Sequence, residues 1–262
     1  LDYRGISGPL NYVIDGNQIT TSLGVDVFSG VERVYLSNGG GTVTILNASS
    51  ASITLGAGGN TVYGSDGDDV IVPGSGVSDD TVYGGGGNDT LYAYFGNDHI
   101  YGEDGDDTIY VFAGNHVVDG GDGDDRIILL DYFTGYQSTL NGGEGFDTLD
   151  LSSSILSTIT LSGNALTTPE FGTYFIENFE AVRGTSGNNT IYGDANKSYH
   201  LYGGFGNDVI YAGNQGDYLY GEEGFDILYG GDGDDVLERA ADLDARDVLG
   251  RVDAEAVGVE VA

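Results

Sequence analysis

Gly84-Gly-Gly-Gly-Asn-Asp-Thr-Leu-Tyr92 and Gly230-Gly-Asp-Gly-Asp-Asp-Val-Leu-Glu238 share one form, G-G-x-G-x-D-x-U-x, where U is a large aliphatic residue. Read outward from the first, the chain divides into units beginning at Leu55, Gly64, Pro73, Gly84, Ala93, Gly102, Val111 and Gly120, with a further one at Gly142 after a longer loop. Most of these units are nonapeptides, and the Pro73 unit has eleven residues. A second block has units beginning at Gly184, Gly193, Gly203, Ala212, Gly221 and Gly230. Six residues of Gly and Asp or Asn make a turn, because glycine accepts positive φ and Asx side chains bond to nearby backbone. The last three residues alternate outward, inward, outward, as a short strand must. The inward position reads Val62, Ile71, Val82, Leu91, Ile100, Ile109, Val118, Ile127, Leu140 and Leu149, then Ile191, Leu201, Ile210, Leu219, Leu228 and Leu237. Three-residue strands cannot stand alone, so the units are expected to stack two per coil into an all-β parallel β-roll, a solenoid in two stacked blocks.

One aliphatic residue per unit is a thin core, and the sixth position supplies a second device. It carries Asp69, Asp80, Asp89, Asp98, Asp107, Asp125, Asp147, Asp208, Asp217, Asp226 and Asp235. Stacking brings carboxylates two units apart to within about 5 Å of coil spacing, where unpaired charges repel. A hard divalent cation between turns, bound by carboxylates and glycine-turn carbonyls, is the all-oxygen arrangement Ca²⁺ prefers; Mg²⁺ demands a tighter octahedron.

Composition narrows the function classes. Of the 262 residues, 42 are acidic and 8 basic, a net charge of −34, so no basic face exists for nucleic acid. No Cys is present, which removes disulfides, thiol chemistry and Cys-based zinc sites. No apolar run is long enough for a membrane span. With 39% hydrophobic residues and 19 Tyr, the chain is too apolar for intrinsic disorder.

The nonapeptide resembles the RTX (repeats-in-toxin) family, the calcium-binding β-roll region of bacterial adhesins, haemolysins, adenylate cyclase toxin, alkaline proteases, lipases and mannuronan epimerases. The resemblance covers the units within 55–150 and 184–238. It implies one Ca²⁺ between turns two units apart. One turn gives its second and fourth carbonyls and its Asp; the other gives its first and third carbonyls and its Asp. Carried over, Asp69 pairs with Asp89 through the carbonyls of Ser65, Gly67, Gly84 and Gly86, and Asp89 with Asp107 through Gly85, Gly87, Gly102 and Asp104. Asp107 pairs with Asp125 through Glu103, Gly105, Gly120 and Asp122, and Asp125 with Asp147 through Gly121, Gly123, Gly142 and Glu144. Asp208 pairs with Asp226 through Gly204, Gly206, Gly221 and Glu223, and Asp217 with Asp235 through Gly213, Gln215, Gly230 and Asp232. Asp80 pairs with Asp98 on the other edge. The resemblance thus implies seven complete calcium sites, and nine if the steps from Asn60 to Asp80 and Asn189 to Asp208, with their uncharged amides, are counted. His116 and Tyr199 replace the Asp, which breaks the steps to Asp98 and Asp217. The reading at His116 is a turn without cation, with a transition-metal ligand as the alternative.

The segments between repeats are themselves related. Leu1-Asp2-Tyr3 matches Leu149-Asp150-Leu151, Gly16–Thr21 matches Gly163–Thr168, and Phe28–Val34 matches Phe175–Val182 with one insertion. Residues 1–54 and 151–183 are therefore expected to be irregular β segments capping the rolls at 55–150 and 184–238. The tail, 239–262, reads as a helix, a linker or the end of a secretion signal. The match at Leu1 and the absence of an initiator Met or signal-peptide pattern point to a piece of a longer protein.

No G-x-S-x-G, H-E-x-x-H or phosphate-binding loop occurs, so no catalytic or cofactor-binding residue is assigned and no enzyme is expected. The ninth position carries stacked tyrosines, among them Tyr63, Tyr83 and Tyr101, which read as β-propensity on an exposed sheet, with glycan or partner binding as the alternative. The expected function is a calcium-binding folding module of a larger secreted bacterial protein, condensing on calcium after type I export. The alternatives are a carbohydrate-binding accessory module of a polysaccharide-active enzyme, or an S-layer or adhesin scaffold that self-associates. The expected partners are calcium and the flanking domains of the parent, and the expected location is extracellular or on the cell surface.

Overall fold

The computed structural model describes residues 11–15, 18–21, 24–27, 34–35, 39–46, 48, 50–130, 135–170 and 172–238, without side chains at 24–27 and 34. The expectations for Leu1-Asp2-Tyr3, most of Phe28–Val34 and the 239–262 tail fall outside them. Every regular element among the described residues is a strand. The chain forms two compact units, Leu1–Ile127 with Ser138–Gly145 and Ile128–Gln137 with Phe146–Ala262.

In the first unit one sheet runs through Thr139–Glu144, Val117–Asp122, His99–Asp104, Thr81–Gly86, Asn60–Tyr63 and Gly41–Leu46 to Tyr12–Asp15, all parallel. The opposite sheet carries Thr108–Val111, Thr90–Ala93, Val70–Val72, Ser52–Thr54 and Val34–Tyr35. Chain direction alternates between the sheets, so two units make one coil. The register aligns Val62 with Val82, Ile100, Val118 and Leu140, and Ile53 with Ile71, Leu91 and Ile109. These side chains are buried between the two sheets. In the second unit Leu149 aligns with Val182, Leu201, Leu219 and Leu237, and Ile159 with Ile191, Ile210 and Leu228. The column read from the sequence is the core; Leu237, on the last described strand, is only half-buried.

Two features differ from the expected short strands. Thr81–Gly86, His99–Asp104, Val117–Asp122 and Thr139–Glu144 are six residues long, because the first three turn residues also pair with the neighbouring coil, as Glu103 does with Gly85 and Gly121. The related segments also fold alike in detail. Gln18–Thr21 and Ala165–Thr168 are each the middle strand of an antiparallel meander. The first strand of each meander runs parallel to a strand of its own solenoid.

Coils approach closely at the second turn position. A Cβ on Gly85 would lie 2.1 Å from the Ser65 carbonyl oxygen, and one on Gly121 would lie 2.0 Å from that of Glu103. Backbone φ is positive at Gly85, Gly121 and Gly143, and at the same position Glu103 holds φ 76°. A left-handed conformation costs an L-residue on the order of 1 kcal/mol relative to glycine. Glu103→Gly is therefore expected to raise the stability of the roll by about 1 kcal/mol, read as a higher midpoint in urea unfolding followed by circular dichroism.

Candidate metal centre

Each sixth-position carboxylate lies at a coil edge with its two oxygens in different roles. One oxygen holds the preceding coil. Asp89 Oδ1 accepts the Asp69 N–H at 2.7 Å, Asp107 Oδ1 the Asp89 N–H at 2.7 Å, and Asp125 Oδ1 the Asp107 N–H at 2.7 Å. On the other edge Asp98 Oδ1 accepts the Asp80 N–H at 2.9 Å. In the second unit Asp226 Oδ1 accepts from Asp208 at 2.8 Å and Asp235 Oδ1 from Asp217 at 2.9 Å. Six of the expected pairs are thus adjacent rungs of hydrogen-bonded ladders. Of the seventh, Asp125 belongs to the first unit and Asp147 to the second, where Glu180 accepts the Asp147 N–H.

The other oxygen turns toward the glycine turn. Asp89, Asp98, Asp107 and Asp208 are buried, and their Oδ2 atoms have no hydrogen-bond partner. Leaving such an atom unsatisfied is costly, so a native structure calls for an explanation. First-position carbonyls lie beside those of Asp89, Asp107 and Asp208. A Cβ added to Gly102 would sit 2.0 Å from Asp107 Oδ2 and 2.2 Å from the Gly120 carbonyl oxygen. Gly84 stands in the same relation to Asp89 and Gly102, Gly120 to Asp125 and Gly142, and Gly203 to Asp208 and Gly221. Glycine at position one therefore leaves a cradle open, lined by a carboxylate oxygen and a carbonyl from the next coil. That donor set is hard and all-oxygen, and it suits Ca²⁺.

The carbonyls named from the sequence have two kinds of surroundings. Those of Asp122, Glu144 and Glu223 accept the fourth-position N–H of Gly105, Gly123 and Gly206, and that of Ser65 accepts the Gly86 N–H. A carbonyl has a second lone pair, so this bond leaves each able to coordinate. Those of Gly87, Gly105, Gly123, Gly206, Gly213 and Gln215 face the matching glycine of the next coil, where any Cβ would collide with them. Some steps depart from the pattern. Asp69 Oδ2 accepts from Ser65 N–H and Oγ, and Asp217 Oδ2 from Gly213 N–H. At the Asp80 step, position one is Pro73 rather than glycine.

Burial makes the charged form of these acids costly. It pushes Asp89 and Asp80 up to about 7, Asp107 to about 8 and Asp208 to about 6, with neighbouring carboxylates adding to the rise. Asp69, Asp217 and Asp235 are raised for the same first reason. Folding the chain without a cation thus either protonates the column or confines repelling charge.

His116 and Tyr199 occupy their rungs by other chemistry. The Asp98 N–H donates to His116 Nδ1 at 3.1 Å, so this ring nitrogen takes the place of a carboxylate Oδ1, and the His116 N–H donates to Ser138 Oγ. Nδ1 also lies 3.3 Å from Asp98 Oδ2. Tyr199 is buried, its hydroxyl pushed up to about 12 by burial, and its N–H still donates to Asp217 Oδ1.

The fifth position forms a second, solvent-exposed ladder that the sequence reading did not name. Asp68 Oδ1 accepts the Asn88 N–H at 2.8 Å, Asn88 Oδ1 the Asp106 N–H at 3.1 Å, and Asp106 Oδ1 the Asp124 N–H at 2.9 Å. The signal was present as recurrent Asx at position five, including Asp79, Asn97 and Asn188. Stacked tyrosines also line the outer faces: Tyr63, Tyr83 and Tyr101 have ring centroids 5.1 and 5.0 Å apart.

A parallel roll whose edges are columns of buried carboxylates facing glycine turns is a calcium-binding repeat scaffold. The profile of the RTX calcium-binding nonapeptide repeat matches residues 50–78, 76–109, 92–127, 179–196, 200–227 and 213–244, and the chain belongs to this family, whose repeats bind calcium. A search of curated proteins found no matching relative.

The cradle predicts a selective effect. Gly102→Ala places a methyl group between Asp107 Oδ2 and the Gly120 carbonyl, whereas a Cβ on Gly187 meets nothing closer than 3.8 Å. Gly102→Ala is expected to weaken calcium at that step on the order of tenfold or more, with Gly187→Ala close to wild type, in calcium titrations by calorimetry.

Proposed function

We propose that this chain is a calcium-driven folding module of a larger secreted bacterial protein, made to stay extended where calcium is scarce and to condense where it is plentiful. The observation that carries the reading is the set of buried carboxylate oxygens at Asp89, Asp107 and Asp208 that the folded chain leaves without hydrogen-bond partners. A divalent ion between successive rungs supplies the missing partner and offsets the repulsion between them. The ligands are the paired Asp carboxylates of the ladders, with the turn carbonyls assigned from the sequence. Residues 1–54 and 151–183 serve as caps for the rolls that follow them.

Export fits this chemistry. Members of the family are typically from secreted proteins. Extracellular modules bind calcium at roughly 10⁻⁴–10⁻³ M, far above cytosolic levels. An acidic chain at net charge −34 resists collapse until cations arrive, which suits passage through a type I exporter in an unfolded state. Among the described residues no helix is long and apolar enough to cross a membrane. The tyrosine faces favour a structural role over glycan binding: Tyr92 with Tyr110 and Tyr211 with Tyr229 stack at 4.9 and 4.7 Å, so each covers ring surface that a sugar would use.

The test is a calcium titration of the purified chain followed by circular dichroism and small-angle scattering. The expected result is an extended chain in EGTA that becomes compact and β-rich as calcium rises to about 10⁻³ M, reversibly. A chain equally compact and β-rich in EGTA would overturn the reading.

A further inference from the structure

We infer that the Asn60 side-chain amide stands in for a cation, so that the first rung of the repeat block closes without calcium. The inference rests on the calcium reading proposed above. The pattern of second and fourth carbonyls from one turn, first carbonyl from the next, and a sixth-position side chain assigns Gly56, Gly58, Pro73 and Asp80 to the Asn60 step. The Asn60 amide nitrogen reaches all four of them. It donates to the Pro73 carbonyl at 2.6 Å, to Asp80 Oδ1 at 3.1 Å, to the Gly56 carbonyl at 3.2 Å, and to the Gly58 carbonyl. The side chain is buried, and Asp80 Oδ1 also accepts the Asn60 N–H at 2.7 Å. Two N–H groups shared among four oxygens present the same sign of potential as an ion at that point, with no charge to bring in from solvent.

Asn189 holds the equivalent position and is turned the other way. Its Oδ1 accepts from Thr185 N–H at 2.7 Å and Thr185 Oγ1 at 3.1 Å, while its amide nitrogen donates to the Leu156 carbonyl at 2.9 Å. A Cβ on Gly184 would lie 2.8 Å from Asn189 Oδ1 and 2.4 Å from the Gly203 carbonyl oxygen, so here an oxygen faces the cradle, as in the Asp rungs. Closure by nitrogen is thus a property of the Asn60 rung and not of every Asn at position six.

The location gives this closure a use. Asn60 pairs with Gly41, where the roll meets Gly41–Leu46, the strand that pairs with Tyr12–Asp15 of the meander. A rung complete at any calcium concentration gives the calcium-dependent coils a formed edge on which to condense, and it gives folding of this block a starting end.

Native mass spectrometry at saturating Ca²⁺ on the wild-type chain, Asn60→Asp and Asn60→Ala tests the inference. Asn60→Asp exchanges the donor for a second carboxylate and is expected to bind one more calcium than wild type. Asn60→Ala is expected to keep the wild-type count while unfolding at lower urea, since it removes donors and no ligand. An unchanged count in Asn60→Asp, or one calcium lost in Asn60→Ala, would overturn the inference while leaving the calcium roll intact. A wild-type chain that binds no calcium takes both readings down together.

Discussion

The structure depends on a division of labour within one carboxylate. At each regular rung, one oxygen of the sixth-position Asp accepts the backbone N–H of the rung before it, and the other is turned inward toward the next coil's carbonyl. The first contact is complete within the protein and sets the register, since it fixes Asp107 against Asp89 and Asp89 against Asp69. At Asp89, Asp107 and Asp208 the second contact is between oxygens, with no hydrogen-bond donor on the inward oxygen. Because hydrophobic burial amounts to a single Val, Ile or Leu in most strands, the coils have little else to offset such a penalty. On the proposed reading, folding and cation binding are one event, as in small metal-dependent domains.

Glycine placement follows from the same constraint. At position one it leaves room beside the inward oxygen, as Gly102 does at Asp107. At positions two and four it lets one coil's carbonyl approach the backbone of the next, as Ser65 does at Gly85. The outer surface adds a smaller increment of order through the Asx ladder from Asp68 to Asp124 and the stacked tyrosines. Both align the coils without requiring an ion. Seven divalent ions would neutralise less than half of a net charge of −34, so a form holding all seven would stay strongly acidic.

Most of this was legible from the nonapeptide. Period and strand alternation gave the core column from Val62 to Leu228, and the family resemblance gave the Asp pairs, six of which are adjacent rungs within the units. Within the matched segments, Gln18–Thr21 and Ala165–Thr168 are equivalent meander strands. What escaped was whatever depends on which atom of a side chain faces which neighbour. Asn60 and Asn189 are the same residue at the same repeat position, yet the Pro73 and Gly56 carbonyls draw the amide nitrogen of one inward, while the Leu156 carbonyl and the Thr185 donors turn the other around. The six-residue strands escaped because the Gly84–Gly86 type of segment reads as turn, although it pairs with the next coil.

The central claim is that the inward carboxylate oxygens are calcium ligands. The most direct measurement is anomalous diffraction from crystals of the calcium-bound chain, phased independently of the metal. The account predicts a calcium peak between Asp89 and Asp107, within about 2.3–2.6 Å of both carboxylates and of turn carbonyls, repeated at the other Asp–Asp rungs and missing at Asn60. Carboxylates bridged by water or by protons alone, with no metal peak between rungs, would contradict it.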